Sequence, residues 1–98
     1  MIVDSEINWN LAKFNLGLVV STPGALQVLS QEEIHIALLR HVCGEWGALD
    51  EHDREANESA LLNSDRLVSV YHTETGVKFY VITEWDRSAT TVLLPEDY

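Results

Sequence analysis

The hydrophobic pattern of the chain changes its period near residue 66, and this change constrains the fold more than any other feature. Upstream, apolar residues recur at the spacing of amphipathic helices. Downstream, three runs rich in β-branched and aromatic residues have the length of strands; they cover residues 67–71, 77–83 and 89–94. Short turn sequences separate these runs. We therefore expect the last third of the chain to form an antiparallel β-meander.

Capping signals divide the part of the chain before the meander. A short apolar run at 16–21 is typical of a strand, and the Thr-Pro pair at 22–23 is typical of a helix start. The Ser-x-x-Glu spacing at 30–33 matches a capping box, which predicts a second helix that ends before Gly44. Asp50 is suited to cap a third helix. The predicted element order is β–α–α–α–β–β–β.

The length of 98 residues is enough for one hydrophobic core and too short for two. Residues 1–14 are expected to form an N-terminal extension or arm, with a short helix behind Ser5 as an alternative, and residues 15–98 a single α+β domain. We expect two layers, with two to three helices packed on the antiparallel meander and a short N-terminal strand. The predicted core includes Ile34, Leu38, Val42, Leu67, Val70, Phe79, Val81, Val92 and Leu93.

Both faces of the predicted sheet carry apolar side chains. In the middle strand Phe79 and Val81 share one parity, and Tyr80 and Ile82 share the other. A sheet with one face in water alternates between apolar and polar residues, which this strand does not do. We therefore expect the second face to be covered by the N-terminal arm, by a second copy of the chain in a homodimer, or by another partner.

The charge of the chain excludes some classes of partner. Sixteen acidic residues against six basic ones give a formal net charge of −10, which repels phosphate, so no direct contact with nucleic acid is expected. The apolar runs are too short to span a bilayer, the N-terminus does not look like a secretory signal, and Cys43 is a single cysteine. We expect a cytoplasmic protein with no membrane partner.

Several motifs resemble those of a family of small, plasmid-related bacterial proteins of unknown function that are found on mobile elements. The resemblance covers residues 16–98, and its motifs lie at 22–26, 41–50, 53, 57, 66–71 and 82–98. Glu45 stands where the resemblance suggests Asp, and Trp85 where it suggests a small residue. The resemblance implies no established activity. Occurrence on mobile elements implies a role in maintaining the element or in evading host defence.

The acidic segment from Glu45 to Glu58 is the first candidate site. On a helix over about residues 51–62, three glutamates at i, i+4 and i+7 share one face. This row is either a solvated helix face or a surface that docks a basic protein or imitates the phosphates of a nucleic acid. Trp46 either fills the corner between two helices or stacks on a ligand. The candidate binding residues of the segment are Glu45, Trp46, Asp50, Glu51, Asp53, Glu55 and Glu58.

The turn before the last strand is the second candidate site. Glu84, Asp86 and Arg87 place two acids and a cation together, so either acid could act as a general base and Arg87 could hold an anion. Ordinary turn chemistry is the favoured interpretation, since Asp and Ser side chains bond to their own backbone in turns and Arg87 can pair with a neighbouring acid.

A further cluster allows an enzymatic interpretation. His41, Glu45, Asp50 and Asp53 could serve a small hydrolase or nuclease-like enzyme if their side chains converge on a pocket. Their spacing matches neither a structural zinc site nor an EF-hand, so we predict no metal, no cofactor and no assigned catalytic residue. The favoured hypothesis is a small acidic protein-interaction module that binds a basic host or cognate protein, as an inhibitor or a nucleic-acid mimic. The enzyme is the alternative.

Overall fold

The predicted element order is present in residues 11–98, which are the residues that the computed structural model describes. The elements are β1 (Leu18–Ser21), α1 (Pro23–Val28), α2 (Gln31–Val42), α3 (Glu51–Asn63), β2 (Leu67–His72), β3 (Lys78–Thr83) and β4 (Ala89–Leu93), followed by a 3₁₀ turn at Pro95–Asp97. The α+β prediction is confirmed. The helix suggested behind Ser5 lies outside the described residues.

One mixed sheet joins the four strands in the order β1-β4-β3-β2. Strands β2, β3 and β4 form the predicted antiparallel meander. Strand β1 pairs with β4 in parallel, although the two are the first and last strands of the described chain. The register places Val81 opposite both Ser69 and Val92, so these three side chains share one face of the sheet.

The helices begin where the capping signals predict. Thr22 accepts a hydrogen bond from the amide of Ala25 at 3.1 Å, and Ser30 and Glu33 form the complete capping box. At α3, the Asp50 carboxylate accepts from the amide of Asp53 at 2.8 Å. Each cap satisfies a backbone donor that the first turn of a helix leaves unpaired.

The helices α1 and α2 cover one face of the sheet and form the main core with it. Of the predicted core residues, six are buried: Val42, Leu67, Phe79, Val81, Val92 and Leu93. Ile34 and Leu38 are only partly buried and pack against the margin of the core. Val70 is also only partly buried, because its strand position faces away from α2.

The second face of the sheet is covered in part by the C-terminal segment. Ile82 and Leu93 are buried on this face. The ring of Tyr98 lies edge-on to Tyr80 at 6.1 Å between ring centroids, and its hydroxyl accepts from Arg66 at 3.0 Å. The C-terminal segment thus covers part of this face. From the sequence we expected the N-terminal arm, a second copy or a partner in that place, and not the C-terminal segment. None of the helices in the described part of the chain has the length and hydrophobicity needed to cross a bilayer.

Candidate functional site

The acidic residues of α3 are displayed on the surface. Glu51, Asp53, Glu55 and Glu58 are all exposed. No side-chain hydrogen bond or ion pair to Glu51, Asp53 or Glu55 occurs among residues 11–98. The ion pair found in this part of the chain lies elsewhere, between Arg40 and Glu45 at 2.7 Å. The acids of α3 therefore form no ion pair within residues 11–98, and the helix carries four acids against one arginine, Arg54.

The nearby arginines form no ion pair with these acids, because backbone carbonyls take up their donors. Arg54, on α3 itself, donates to the carbonyls of Leu49 at 3.0 Å and Gly47 at 2.7 Å. Arg87 donates to the carbonyl of Ala60 at 3.0 Å, near the end of α3. A carbonyl carries no net charge, so each guanidinium holds the loop or helix end in place without neutralising an acid.

The sequence allowed two roles for Trp46, and its burial favours the structural one. It is 2% exposed and packs with Ala60 and Leu67, and its ring stacks on Phe14 at 6.3 Å. Its indole N–H donates to Glu58 at 2.7 Å, which satisfies a donor that burial would otherwise leave unpaired. Glu58 is therefore both an exposed acid of the row and the residue that orients Trp46.

His41 lies at the centre of a buried chain of hydrogen bonds. Its Nδ1 is 2.6 Å from the Ser69 hydroxyl, and its Nε2 is 2.8 Å from the Thr83 hydroxyl. Thr83 in turn contacts Thr90 at 2.7 Å, and the Thr90 hydroxyl donates to the carbonyl of Leu16 at 2.7 Å. All four side chains are fully enclosed. Burial, with a smaller contribution from the positive charge of Arg87, lowers the pKa of His41 to about 3.

The predicted catalytic cluster does not converge. His41 is enclosed, whereas the side chains of Glu45, Asp50 and Asp53 are exposed. The Glu45 side chain pairs with Arg40, and Asp50 caps α3. Within residues 11–98, no group of three or more His, Cys, Asp or Glu side chains is placed to hold a metal ion.

The hydrogen-bond partners of His41 were not predicted from the sequence. Ser69, Thr83 and Thr90 are polar residues at the inward-facing parity of otherwise apolar strands. Buried polar groups need partners, so the combination of an inward histidine and three inward hydroxyls was a usable signal. The strand pattern did not give the register between strands, which places the hydroxyls of Ser69 and Thr83 beside His41 and that of Thr90 beside Thr83.

The β3–β4 turn brings Glu84, Asp86 and Arg87 together, and the backbone uses their polar groups. Besides Ala60, Arg87 donates to the carbonyls of Asp65 at 2.6 Å, Glu84 at 3.1 Å and Trp85 at 3.3 Å. Asp86 accepts from the amide of Ser88 at 3.0 Å, and hydrogen bonds from Ser88 lower the pKa of this carboxyl. The contacts of this turn are those of turn chemistry and helix capping.

A groove of about 600 Å³ lies between α3, the second face of the sheet and the C-terminal segment. Its walls include Ala56, Asn57, Val68, Tyr80 and Tyr98. At about 100° per residue, the small residues of α3 that line it lie on the side of the helix opposite Glu51 and Glu55. The groove is therefore separate from the row formed by Glu51, Glu55 and Glu58, whereas Asp53 lies at the groove.

Comparison with known proteins identified no relative of this chain. No family model matches the chain, and neither the curated proteins nor the solved structures contain a significant match.

Proposed function

We propose that this protein is an acidic interaction module that binds a basic partner protein through α3. The observation that carries the proposal is the exposed row of Glu51, Glu55 and Glu58, which form no ion pair among residues 11–98 and lie near arginines whose donors are taken up by backbone carbonyls. Charge of one sign on one surface attracts a partner of opposite sign and speeds its association.

The narrower part of the proposal concerns biological setting. The partner is a basic host or cognate protein in the cytoplasm, and the module inhibits it by occupying its basic surface, as a nucleic acid would. A net charge of −10 supports this choice over a nucleic-acid ligand, since phosphates would be repelled. The mobile-element setting rests on the motif resemblance alone.

The test removes charge from α3 without disturbing the fold. In the triple variant E51Q/E55Q/E58Q, glutamine keeps an acceptor oxygen for the Trp46 indole, which Glu58 contacts at 2.7 Å. The matched control is E32Q/E74Q/E96Q, which neutralises exposed acids on other elements. Each variant loses three negative charges, so both change the net charge from −10 to −7.

Immobilised wild-type chain and both variants are used to capture proteins from a bacterial extract, and the captured proteins are identified by mass spectrometry. The wild type and the control variant should both enrich basic proteins, and the α3 variant should lose them. For a captured protein, binding to the wild type should weaken steeply as salt rises, with a shallower dependence for the α3 variant. Equal capture by the two variants, or capture of no basic protein, would refute the proposal.

A further inference from the structure

One edge of the sheet is closed by contacts within the chain. Strand β2 lies at this edge, and the side-chain amide of Asn57 donates to the carbonyl of Val68 at 2.8 Å and accepts from its amide at 3.2 Å. Further along the strand, Val70 bonds to the backbone of Trp46 at 3.1 Å and Ala48 at 2.8 Å. The outward backbone groups of β2 at these positions are thus satisfied, which keeps other strands from adding here.

The opposite edge, formed by β1, is open in the part of the chain that the structure describes. The amide of Leu18 donates to the carbonyl of Ser88, just before β4, at 2.9 Å, and the amide of Thr22 donates to the carbonyl of Val92 in β4 at 3.0 Å. Backbone groups alternate in direction along a strand, so those of Val19 and Ser21 point away from β4. Among residues 11–98, no strand or side chain pairs with these outward groups.

The segment that forms this edge is apolar and contains no charged residue, although the Asp97 carboxylate accepts a hydrogen bond from the Thr22 hydroxyl at 2.6 Å just beyond the end of β1. Five of the nine large hydrophobic residues exposed in the described chain lie within eleven consecutive positions: Leu18, Val19, Val20, Leu26 and Val28. Residues 14–31 contain no charged side chain, although 22% of the chain is charged. Exposed edge strands in monomeric proteins usually carry a charge, a proline or a bulge that prevents pairing, and Leu18–Ser21 has no charge or proline.

We propose that β1 pairs antiparallel with β1 of a second copy, which joins two four-stranded sheets into one continuous sheet. Antiparallel pairing of two identical strands is self-complementary about a two-fold axis. With the axis at Val20, the outward groups of Val19 meet those of Ser21 of the second copy, and the reverse contact follows by symmetry.

Charge favours a second copy as the occupant. A chain of net charge −10 repels its own copy over most of its surface, and the uncharged segment at 14–31 is where two copies approach with least repulsion. A basic partner, in contrast, is attracted to the acidic residues of α3. A dimer interface of ordinary size covers about 800 Å² of each partner, a modest part of the 5950 Å² surface of this chain. The strand edge alone is short, so the exposed Leu26 and Val28 of α1 are included in the interface.

The test places a charge in this interface. Val20→Lys adds a cation at an exposed position of β1, and Leu62→Lys adds the same charge at an exposed position of α3 as the matched control. Sedimentation equilibrium over a range of concentrations gives the mass and the dimer dissociation constant. The wild type and Leu62→Lys should reach twice the chain mass of 11.1 kDa. Val20→Lys should raise the dissociation constant by at least about tenfold, because the buried cation occurs twice in a symmetric interface.

Two further measurements test the surface itself. Added salt should tighten the wild-type dimer, since it screens the repulsion between two acidic chains. Hydrogen exchange at the amides of Val19 and Ser21 should slow as the wild-type concentration rises and should stay fast in Val20→Lys. A wild type that remains monomeric at about 1 mM, or a dimer that both lysine variants weaken equally, would overturn the proposal. A melting temperature of Val20→Lys close to that of the wild type, measured at a concentration where both are monomeric, confirms that the variant is folded.

Discussion

Lowering the pH should destabilise the protein through His41 well before its carboxylates titrate. The imidazole is fully enclosed and lies between the hydroxyls of Ser69 and Thr83, which accommodate one ring nitrogen as donor and the other as acceptor. A second ring proton would add a buried charge close to Arg87, so the folded state holds the neutral ring and the pKa falls to about 3.

The magnitude follows from the difference between the folded and unfolded pKa values. Between the unfolded value of 6.5 and the folded value of about 3, the unfolded chain binds a proton that the folded chain does not. The stability is therefore fully present above the unfolded pKa and is lost as the pH falls towards the folded one. Each pH unit in this window costs about 1.4 kcal/mol. From pH 7 to pH 4.5, the loss from His41 is about 2.5 kcal/mol, which is a large fraction of the stability of a small domain.

The assay is urea denaturation at several pH values between 4.5 and 7.5, followed by tryptophan fluorescence, since Trp46 lies 5.7 Å from the His41 ring between centroids. His41→Gln is compared with the wild type, because glutamine keeps a donor and an acceptor but does not titrate. The other three histidines and the carboxylates are present in both proteins and cancel in the difference. The stability advantage of the wild type over His41→Gln should shrink by about 2.5 kcal/mol as the pH falls from 7 to 4.5.

Two results would refute this reasoning. One is a stability difference between wild type and His41→Gln that stays constant over the pH range. The other comes from the wild type alone, so that it does not depend on the variant folding: NMR titration of the His41 ring with a midpoint near 6.5 would show that the folded state tolerates the charge.

The remaining predictions concern contacts that span distant parts of the chain. Arg87→Ala should lower the free energy of unfolding by about 2 kcal/mol, because it removes charge-assisted bonds to several carbonyls. Arg87→Lys should recover less than half of that, since an ammonium cannot span the same acceptors; equal stability of Arg87→Ala and wild type in urea would contradict this role. Gly47→Ala and Gly76→Ala both place alanine at positive φ, at 79° and 89°, which costs about 1 kcal/mol each. Only at Gly47 does a new Cβ meet the carbonyl of Val70, so its thermal midpoint should fall clearly further; equal shifts would rule out that close approach.

Local signals predicted the elements well because each signal acts within a few residues. The capping box at Ser30 and Glu33 and the cap at Asp50 form hydrogen bonds that span three positions, so the sequence alone specifies them. The three strand-like runs were also sufficient to predict the meander, since neighbouring strands joined by short turns pair with one another. The burial of Trp46 was one of two alternatives that the sequence left open.

Contacts between distant residues were not predictable in this way. Arg87 and Asn57 bind backbone carbonyls that lie 27 and 11 positions away, and a carbonyl has no residue-specific signal in the sequence. The arginine was therefore expected to pair with a neighbouring acid or to hold an anion, and the asparagine was not expected at a sheet edge. The interaction hypothesis itself stays a prediction, since exposure of charge does not identify what binds it.

The sequence by itself determined which segments become helices and strands, how they are capped and how strongly negative the chain is, because these properties depend on composition and on neighbours along the chain. Only the tertiary structure decided that β1 lies in parallel beside β4, that His41 lies between the hydroxyls of Ser69 and Thr83, and that within residues 11–98 one sheet edge is closed while the other is open. Each of these depends on the register between segments distant in the chain, which is selected by packing of the whole core.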